Sequence, residues 1–224
     1  MSKKEGGNLV VMGKSKITLQ VWQIAKLNLR HNFLPLLFLS VVIMILTPIL
    51  FGTTGLDSKA AAVPLEMLIS IIGIILLVPI FQPEQDEEIR DLVASKYVDS
   101  TYVHLIRVVY SIIGIVLLVM IFSIFMIMSG CEITIELIGG TIADAMFLGA
   151  MGLFTSAITS NAPVSFMIPL LYYVLNLTMK SKFGNFNLFS MMSSDYQPNI
   201  WLFGSSIAFI AIAILIKRVL NKKI

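Results

Sequence analysis

The feature that most constrains this chain is a set of long apolar runs, of which 108–128 is the clearest. That run contains no charged side chain, and it is long enough to cross a bilayer, because a helix needs about 20 apolar residues to span about 30 Å of hydrocarbon. Charged residues make up only 13% of the 224, whereas soluble domains carry about 25%. The sequence therefore predicts an integral membrane protein and excludes an ordinary water-soluble globule.

Six such runs predict an all-α integral membrane protein with six transmembrane helices. We place the spans at about 33–51, 63–81, 108–129, 140–159, 164–179 and 200–216. The fifth is short and contains Pro169, which predicts a helix that either stops partway through the bilayer or bends there. An even number of spans places both termini on one side of the membrane.

The distribution of basic residues orients these spans. With the N-terminus inside, the cytoplasmic segments hold thirteen Lys and Arg residues, and the outer segments hold only Lys59, Lys180 and Lys182. Cytoplasmic loops of membrane proteins carry the excess of Lys and Arg, so we predict that both termini are cytoplasmic. The formal net charge of +3 then reflects topology, and we expect no nucleic acid among the partners.

Residues 1–32 are predicted to form a cytoplasmic N-terminal region, and 33–224 the transmembrane domain. Within the first region, 15–31 has apolar residues at helical spacing and basic residues on the other face. Trp22 suits the headgroup level, and Lys26 and Arg30 suit an anionic inner leaflet. We predict an interfacial helix in contact with membrane lipids; the alternative is a simple extension of the first span.

A charged island at 82–107 separates the second and third spans. It carries six acids and three bases. Pro83 suits the first turn of a helix, and the acids after it complement the positive end of the helix dipole. An apolar stripe follows at helical spacing: Ile89, Leu92, Val93 and Tyr97. We predict a short helix that fits a groove on a soluble partner; the alternative is a solvated hairpin whose charges only set topology.

This loop resembles the loop between spans two and three of ATP-binding-cassette permeases of the type-2 exporter class. There, an acidic helix start is followed by a leucine-rich turn, a small residue and a base entering span three. The comparable residues here are Glu87, Glu88, Leu92, Ser95 and Arg107. The family often has Gly-Thr before the leucine and Pro after the small residue, where this chain has Arg90-Asp91 and Tyr97-Val98. The resemblance extends over nearly the whole chain, because the six spans, the two cytoplasmic termini and the N-terminal interfacial helix also match.

The resemblance implies a permease subunit of an ATP-driven exporter in a bacterial cell membrane. The loop would be the coupling helix, which docks in a cleft of the ATPase subunit. Its contact residues would be Glu87, Glu88, Arg90, Leu92, Val93 and Tyr97. Two ATPase subunits would bind ATP and Mg²⁺, and a second protomer, identical or not, would complete the pathway. Because the chain has no G-x-x-x-x-G-K-[ST] phosphate loop, we expect neither enzyme activity nor a cofactor in it.

The outer segment 180–199, between spans five and six, is rich in aromatic residues that would be costly to expose to water. We predict that it dips back into the interface or caps a cavity. In the family that the chain resembles, re-entrant helices at this place form an extracellular gate. The corresponding candidates are Phe183, Phe186 and Phe189; the alternative is an aromatic belt at the interface.

The fourth span combines small residues with a carboxylate. The small residues are Gly149, Gly152, Ser156 and Ser160, and their spacing predicts close helix packing within the protomer. Asp144 in this span and Glu66 near the outer end of the second are candidate pathway residues, since carboxylates inside a membrane are functional candidates by default. The alternative is that both lie near enough to the outer interface to be solvated.

Two other classes of protein compete with the exporter permease. A non-transporting immunity or sensor subunit would bind a partner protein through the same 82–107 loop. An intramembrane protease is disfavoured, because no His follows His104 and the groups for metal or acid–base chemistry are lacking. Apolar spans favour an amphipathic or hydrophobic substrate, such as a peptide, lipid or drug, over a small ion.

Overall fold

The computed structural model describes residues 33–84, 100–179 and 182–221. Within these ranges the chain is all-α and contains no β-strand. The helices are α1 (Leu34–Phe51), α2 (Ser58–Met67), α3 (Ile72–Leu77), α4 (Ser100–Met128), α5 (Ile135–Thr159), α6 (Ala162–Thr178) and α7 (Gln197–Asn221). Short 3-10 turns lie at Ile69–Ile71, Val78–Glu84, Gly184–Phe186 and Met191–Ser193.

Five helical segments are long and apolar enough to cross a membrane. They are Leu34–Phe51, Ser58–Gln82, Val103–Met128, Ile135–Thr159 and Gln197–Leu220. The shorter apolar helix α6 has 17 residues and is continuous through Pro169, so it does not stop there. Each of the six predicted spans coincides with one of these segments or with α6. The prediction of an all-α membrane protein is confirmed.

Capping side chains explain why helices begin outside the predicted spans. Asp57 accepts a hydrogen bond from the Ala60 N–H at 3.2 Å and caps α2. Thr134 caps α5 in the same way through the Leu137 N–H at 3.3 Å. An N-cap side chain satisfies a backbone donor that the helix itself leaves unpaired. Because these caps precede the apolar runs, α2 and α5 each begin more than one turn before the span predicted from hydropathy.

The second span, Ser58–Gln82, is not a uniform α-helix. Ile69–Ile71 forms a 3-10 turn between α2 and α3, and a second 3-10 stretch, Val78–Glu84, follows α3. Prolines at 79 and 83 lack the backbone N–H that a regular helix uses. Of the most apolar 18 residues of this span, 78% are buried inside the protein. Neighbouring helices therefore shield the irregular backbone from lipid, as membrane proteins require.

Helix α5 forms the centre of the structure. It packs most extensively against α7, α3 and α6. Of its most apolar 18 residues, 72% are buried. Only 11% of α1 is buried, and side chains such as Phe38 and Ile49 are largely exposed. An apolar surface of this kind suits lipid. The protein thus has a core around α5, with α1 at the periphery.

Glycines allow the second span and α5 to approach closely. A Cβ built on Gly73 would overlap the Ala145 carbonyl of α5, and a Cβ on Gly149 would overlap the Gly73 carbonyl. A Cβ built on Gly152 would overlap the Val78 side chain. Small residues at such positions let helix backbones come together in membranes. The contact fixes the rotation of the second span relative to α5.

The two serines that continue the small-residue spacing of Gly149 and Gly152 along α5 have different surroundings. Ser156 is fully buried in the core. Ser160 ends α5 with a left-handed backbone (φ 47°) and is exposed. Its hydroxyl accepts a hydrogen bond from Lys217 Nζ of α7 at 3.3 Å. Ser160 therefore joins two helix ends and does not lie on the packed face of α5.

Candidate functional site

The predicted partner-binding loop lies mostly outside the described residues. So do all the residues that the resemblance assigns to ATPase contact, which are Glu87, Glu88, Arg90, Leu92, Val93 and Tyr97, and those of the interfacial helix, which are Trp22, Lys26 and Arg30. The structure does describe the two helical ends from which the loop departs. These are the 3-10 stretch Val78–Glu84 and the beginning of α4.

Arg107 of α4 fastens these two ends together. Its side chain is only 4% exposed, and its Nη1 donates a hydrogen bond to the Ile80 carbonyl at 2.9 Å. Arg107 is one of the thirteen bases from which the orientation was predicted, but in the structure it is enclosed between two helices. A hydrogen bond from a charged donor is about twice as strong as a neutral one. Arg107 therefore fixes α4 against the end of the second span.

Phe81 extends this contact to α7 and, through Lys217, to the end of α5. His104 is buried and meets the Phe81 ring edge-on, with centroids 4.9 Å apart. Lys217 Nζ lies 5.5 Å from the centroid of the same ring, a distance at which a cation is attracted to an aromatic face. Through Ser160, Lys217 also reaches the end of α5. We call Phe81, His104, Arg107 and Lys217 the basic junction.

The two predicted intramembrane carboxylates, Glu66 of α2 and Asp144 of α5, are both enclosed in the core. Asp144 and Glu66 are each 1% exposed. The alternative that both are solvated at the outer interface is therefore wrong, because the surrounding helices enclose them. Burial of this kind is costly for a charged group without a partner. We call Glu66 and Asp144 the acid pair.

The members of the acid pair have different hydrogen-bond environments. Glu66 Oε1 accepts a hydrogen bond from the Met191 backbone N–H at 2.6 Å. Neither carboxyl oxygen of Asp144 has a hydrogen-bond partner in the described part of the chain. The buried amide Nδ2 of Asn199 on α7 also lacks one there, and it lies against Gly140, one helical turn before Asp144. Asp144 is thus the less satisfied acid.

Residues 182–196, which we call the α6–α7 segment, pack into the protein. Leu188, Phe189, Ser190 and Met191 are at most 2% exposed. Asn176 of α6 is fully buried: its Oδ1 accepts from the Leu188 N–H at 3.0 Å, and its Nδ2 donates to the Phe186 carbonyl at 3.1 Å. Ser190 Oγ and Asn199 Oδ1 are hydrogen-bonded at 3.0 Å. Side chains of α2, α6 and α7 therefore hold this segment in place.

The three aromatic gate candidates occupy three environments. Phe189 is 1% exposed and packs edge-on against Tyr173 of α6, with centroids 5.3 Å apart. Phe183 is partly buried against Tyr172, and Phe186 is 41% exposed. An interfacial belt would suit Phe186, whereas Phe189 belongs to the core. Asn176 and Asn199 were not predicted as site residues, although a side-chain amide within or beside an apolar run is a signal of helix–helix hydrogen bonding.

The geometry defines a class of protein: an all-α membrane protein whose core holds a buried acid pair and a basic junction. Searches against models of known families, curated proteins and solved structures each found no match. The likeness of the 82–107 loop to type-2 exporter permeases therefore stays a prediction.

Proposed function

We propose that this chain is the permease subunit of an ATP-driven exporter in a bacterial cell membrane. It crosses the bilayer six times, with α6 as the fifth span and both termini in the cytoplasm. The bias of thirteen basic residues against three supports this orientation. The 17 residues of α6 rise about 25 Å at 1.5 Å per residue, which a locally thinned bilayer accommodates.

The observation that carries the proposal is the basic junction at the base of the 82–107 loop. A loop whose two ends are fastened together passes a partner's movement to both of its helices at once. The bond from Arg107 to the Ile80 carbonyl joins those ends, and Lys217 ties them to α7. A force on the loop would therefore displace the second span and α4 together.

The second span also connects the junction to the α6–α7 segment. Its 3-10 stretch carries Phe81 beside the loop, and Glu66 near its other end holds Met191. The 3-10 turn Ile69–Ile71 lies between these two points, and a break of this kind within a helix often marks a hinge. We propose that closure of the ATPase subunits bends the span here and so opens the α6–α7 segment on the outer face.

The remaining parts of the proposal follow from this arrangement. Two ATPase subunits bind ATP and Mg²⁺, and each docks on one 82–107 loop. A second protomer, identical or a sister chain, lines the pathway for an amphipathic or hydrophobic substrate. The exposed apolar faces of α1 and α4 are available for lipid and for this second protomer.

Charge reversal at Glu87 and Glu88 is expected to abolish co-purification of the ATPase subunit from native membranes. Like charges brought face to face across an interface cost several kcal/mol, which is enough to lose the complex. The matched control reverses Glu132 and Glu136, two exposed acids that precede and begin α5, and it should keep the ATPase. If the Glu87→Lys/Glu88→Lys protein retains the ATPase and full coupled activity, the docking role is wrong.

Arg107→Met is expected to separate docking from coupling. The variant removes the bond between the loop ends but leaves the loop sequence intact, so the ATPase should still co-purify. Loss of a charged hydrogen bond costs about 1.5–3 kcal/mol, and we expect substrate export per ATP hydrolysed to fall by about tenfold or more. Reconstituted vesicles report both rates, and Arg107→Lys should retain part of the coupling. Normal export by Arg107→Met would contradict the proposal. If the protein is instead an immunity or sensor subunit, neither the wild type nor any of these variants would export substrate.

A further inference from the structure

Asp144 is a buried carboxyl group that the described residues leave without a hydrogen-bond partner. It lies within the core helix α5 and is 1% exposed, and neither of its oxygens accepts a hydrogen bond in the described part of the chain. Glu66, by contrast, accepts the Met191 N–H. Burial of an unpaired carboxylate is costly. Asp144 therefore needs a ligand, which is either a proton or a cation.

Aromatic rings lie beside the turn of α5 that follows Asp144. Phe147 comes three residues later, and side chains at this spacing are neighbours on a helix surface. The centroid of its ring lies 5.4 Å from that of Tyr172 and 6.3 Å from that of Phe186. Tyr172 also meets Phe183 edge-on, with centroids 5.4 Å apart. We call Phe147, Tyr172, Phe183 and Phe186 the aromatic cluster.

The aromatic cluster extends from the core to the surface of the protein. Phe147 is 3% exposed, Tyr172 and Phe183 are half-buried, and Phe186 is exposed. The Tyr172 hydroxyl and the Asn176 amide both donate to the Phe186 carbonyl, which keeps the outer part of the cluster against α6. A ligand that displaces the outer rings would therefore move along aromatic faces towards α5.

An organic cation fits this arrangement better than a metal ion does. Ammonium groups are attracted to aromatic faces within about 6 Å of the ring centroid, most strongly where water is excluded, and a carboxylate supplies the opposite charge. Calcium takes six to eight oxygen ligands, and magnesium requires near-ideal octahedral geometry. In the described ranges, no three His, Cys, Asp or Glu side chains come together to hold a metal.

We propose that Asp144 and the aromatic cluster bind the positively charged group of an amphipathic substrate. The rings of Tyr172 and Phe186 swing aside to admit the substrate, its apolar part lies against the cluster, and its ammonium group pairs with Asp144. This inference rests on the proposed function and deepens it, because it names the charge of the substrate. Its test uses the chain without the ATPase, so failure of the cation site and failure of ATPase docking are separate results.

Equilibrium dialysis of the full chain in lipid nanodiscs measures this binding. The probe is radiolabelled phenyltrimethylammonium, and binding to empty nanodiscs is subtracted. We expect saturable binding to the wild type and a Kd at least about thirtyfold higher in Asp144→Asn, as for removal of one partner of a buried charge pair. Asp195→Asn changes an exposed acid of the α6–α7 segment and should leave the Kd unchanged. An excess of tert-butylbenzene, which has the same shape without the charge, should not displace the probe.

Phe186→Leu tests the aromatic cluster in a protein that keeps its fold, because the position is exposed. Loss of one cation–π contact should raise the Kd about two- to fivefold. The matched control, Phe203→Leu, changes an exposed ring on α7 and should have no effect.

Three results would overturn the cation site. The first is an equal Kd for the wild type and Asp144→Asn. The second is displacement of the probe by tert-butylbenzene, which would show a purely hydrophobic site. The third is no saturable binding to the wild type, which would mean that Asp144 holds only a proton.

Discussion

A single methyl group at Gly73 is expected to force apart two of the most closely packed helices of the protein. The Cβ of Gly73→Ala would occupy the position of the Ala145 carbonyl of α5. Both groups are fixed to helix backbones, so rotation of a side chain cannot relieve the overlap. Overpacking of a core costs about 1–3 kcal/mol, and more when backbones must shift. We expect a loss of about 3 kcal/mol or more in the free energy of unfolding.

Gly204→Ala provides the matched control for this prediction. In α7, a Cβ at position 204 would meet nothing within 4 Å, and replacement of a helical glycine by alanine is then neutral or stabilising by up to about 1 kcal/mol. Thermal unfolding of both variants in mild detergent, followed by circular dichroism, measures the difference. Equal midpoints for the two variants would mean that the second span and α5 are not in close contact.

Asn176→Ala is expected to release the α6–α7 segment while the helical core stays folded. Asn176 is fully buried and forms hydrogen bonds with both the Leu188 N–H and the Phe186 carbonyl. The Phe186 carbonyl keeps Tyr172 as a donor, but the buried Leu188 N–H would lose its acceptor. An unsatisfied buried group costs about 1–3 kcal/mol, and the lost side-chain volume adds to it. We expect local opening to become favourable by about 2–4 kcal/mol.

Hydrogen–deuterium exchange at 186–191 measures this opening directly. A change of 2 kcal/mol corresponds to about a thirtyfold loss of protection, since each 1.4 kcal/mol is tenfold. Asn185→Ala removes an exposed amide from the same segment and should leave the exchange unchanged. Wild-type protection of the segment in Asn176→Ala would show that Asn176 does not hold it, whatever the effect on global stability.

The positions of the spans could be predicted because the thickness of the bilayer fixes the length of an apolar run. The run at 108–129 and helix α4 end within one residue of each other. The beginnings of α2 and α5 could not be read from hydropathy, because Asp57 and Thr134 cap them in polar sequence. Basic residues were harder still to interpret: a count of Lys and Arg gives an orientation, but it does not separate an enclosed Arg107 from a solvated base.

The acid pair shows a second limit of sequence reasoning. Asp144 and Glu66 stood out individually because carboxylates are rare in apolar runs. Whether both are buried depends on how the second span packs against α5, to which the contact between Gly73 and Ala145 contributes. No periodicity within one helix carries that information. The hydrogen bond from Met191 to Glu66 joins residues 125 positions apart, so it too depends on the assembled core.

The dependence of α5 on α7 has a consequence for biosynthesis. Helix α5 is the least hydrophobic of the five segments able to cross a membrane, carries Asp144, and makes its most extensive contacts with α7. The ribosome completes α7 after the other helices, so α5 must wait in the translocon or against lipid before Asn199 can arrive beside it. Helix α1 can leave the translocon as soon as it is synthesised, because its apolar surface already suits lipid. The core of the protein therefore closes late, only after α7 has been synthesised.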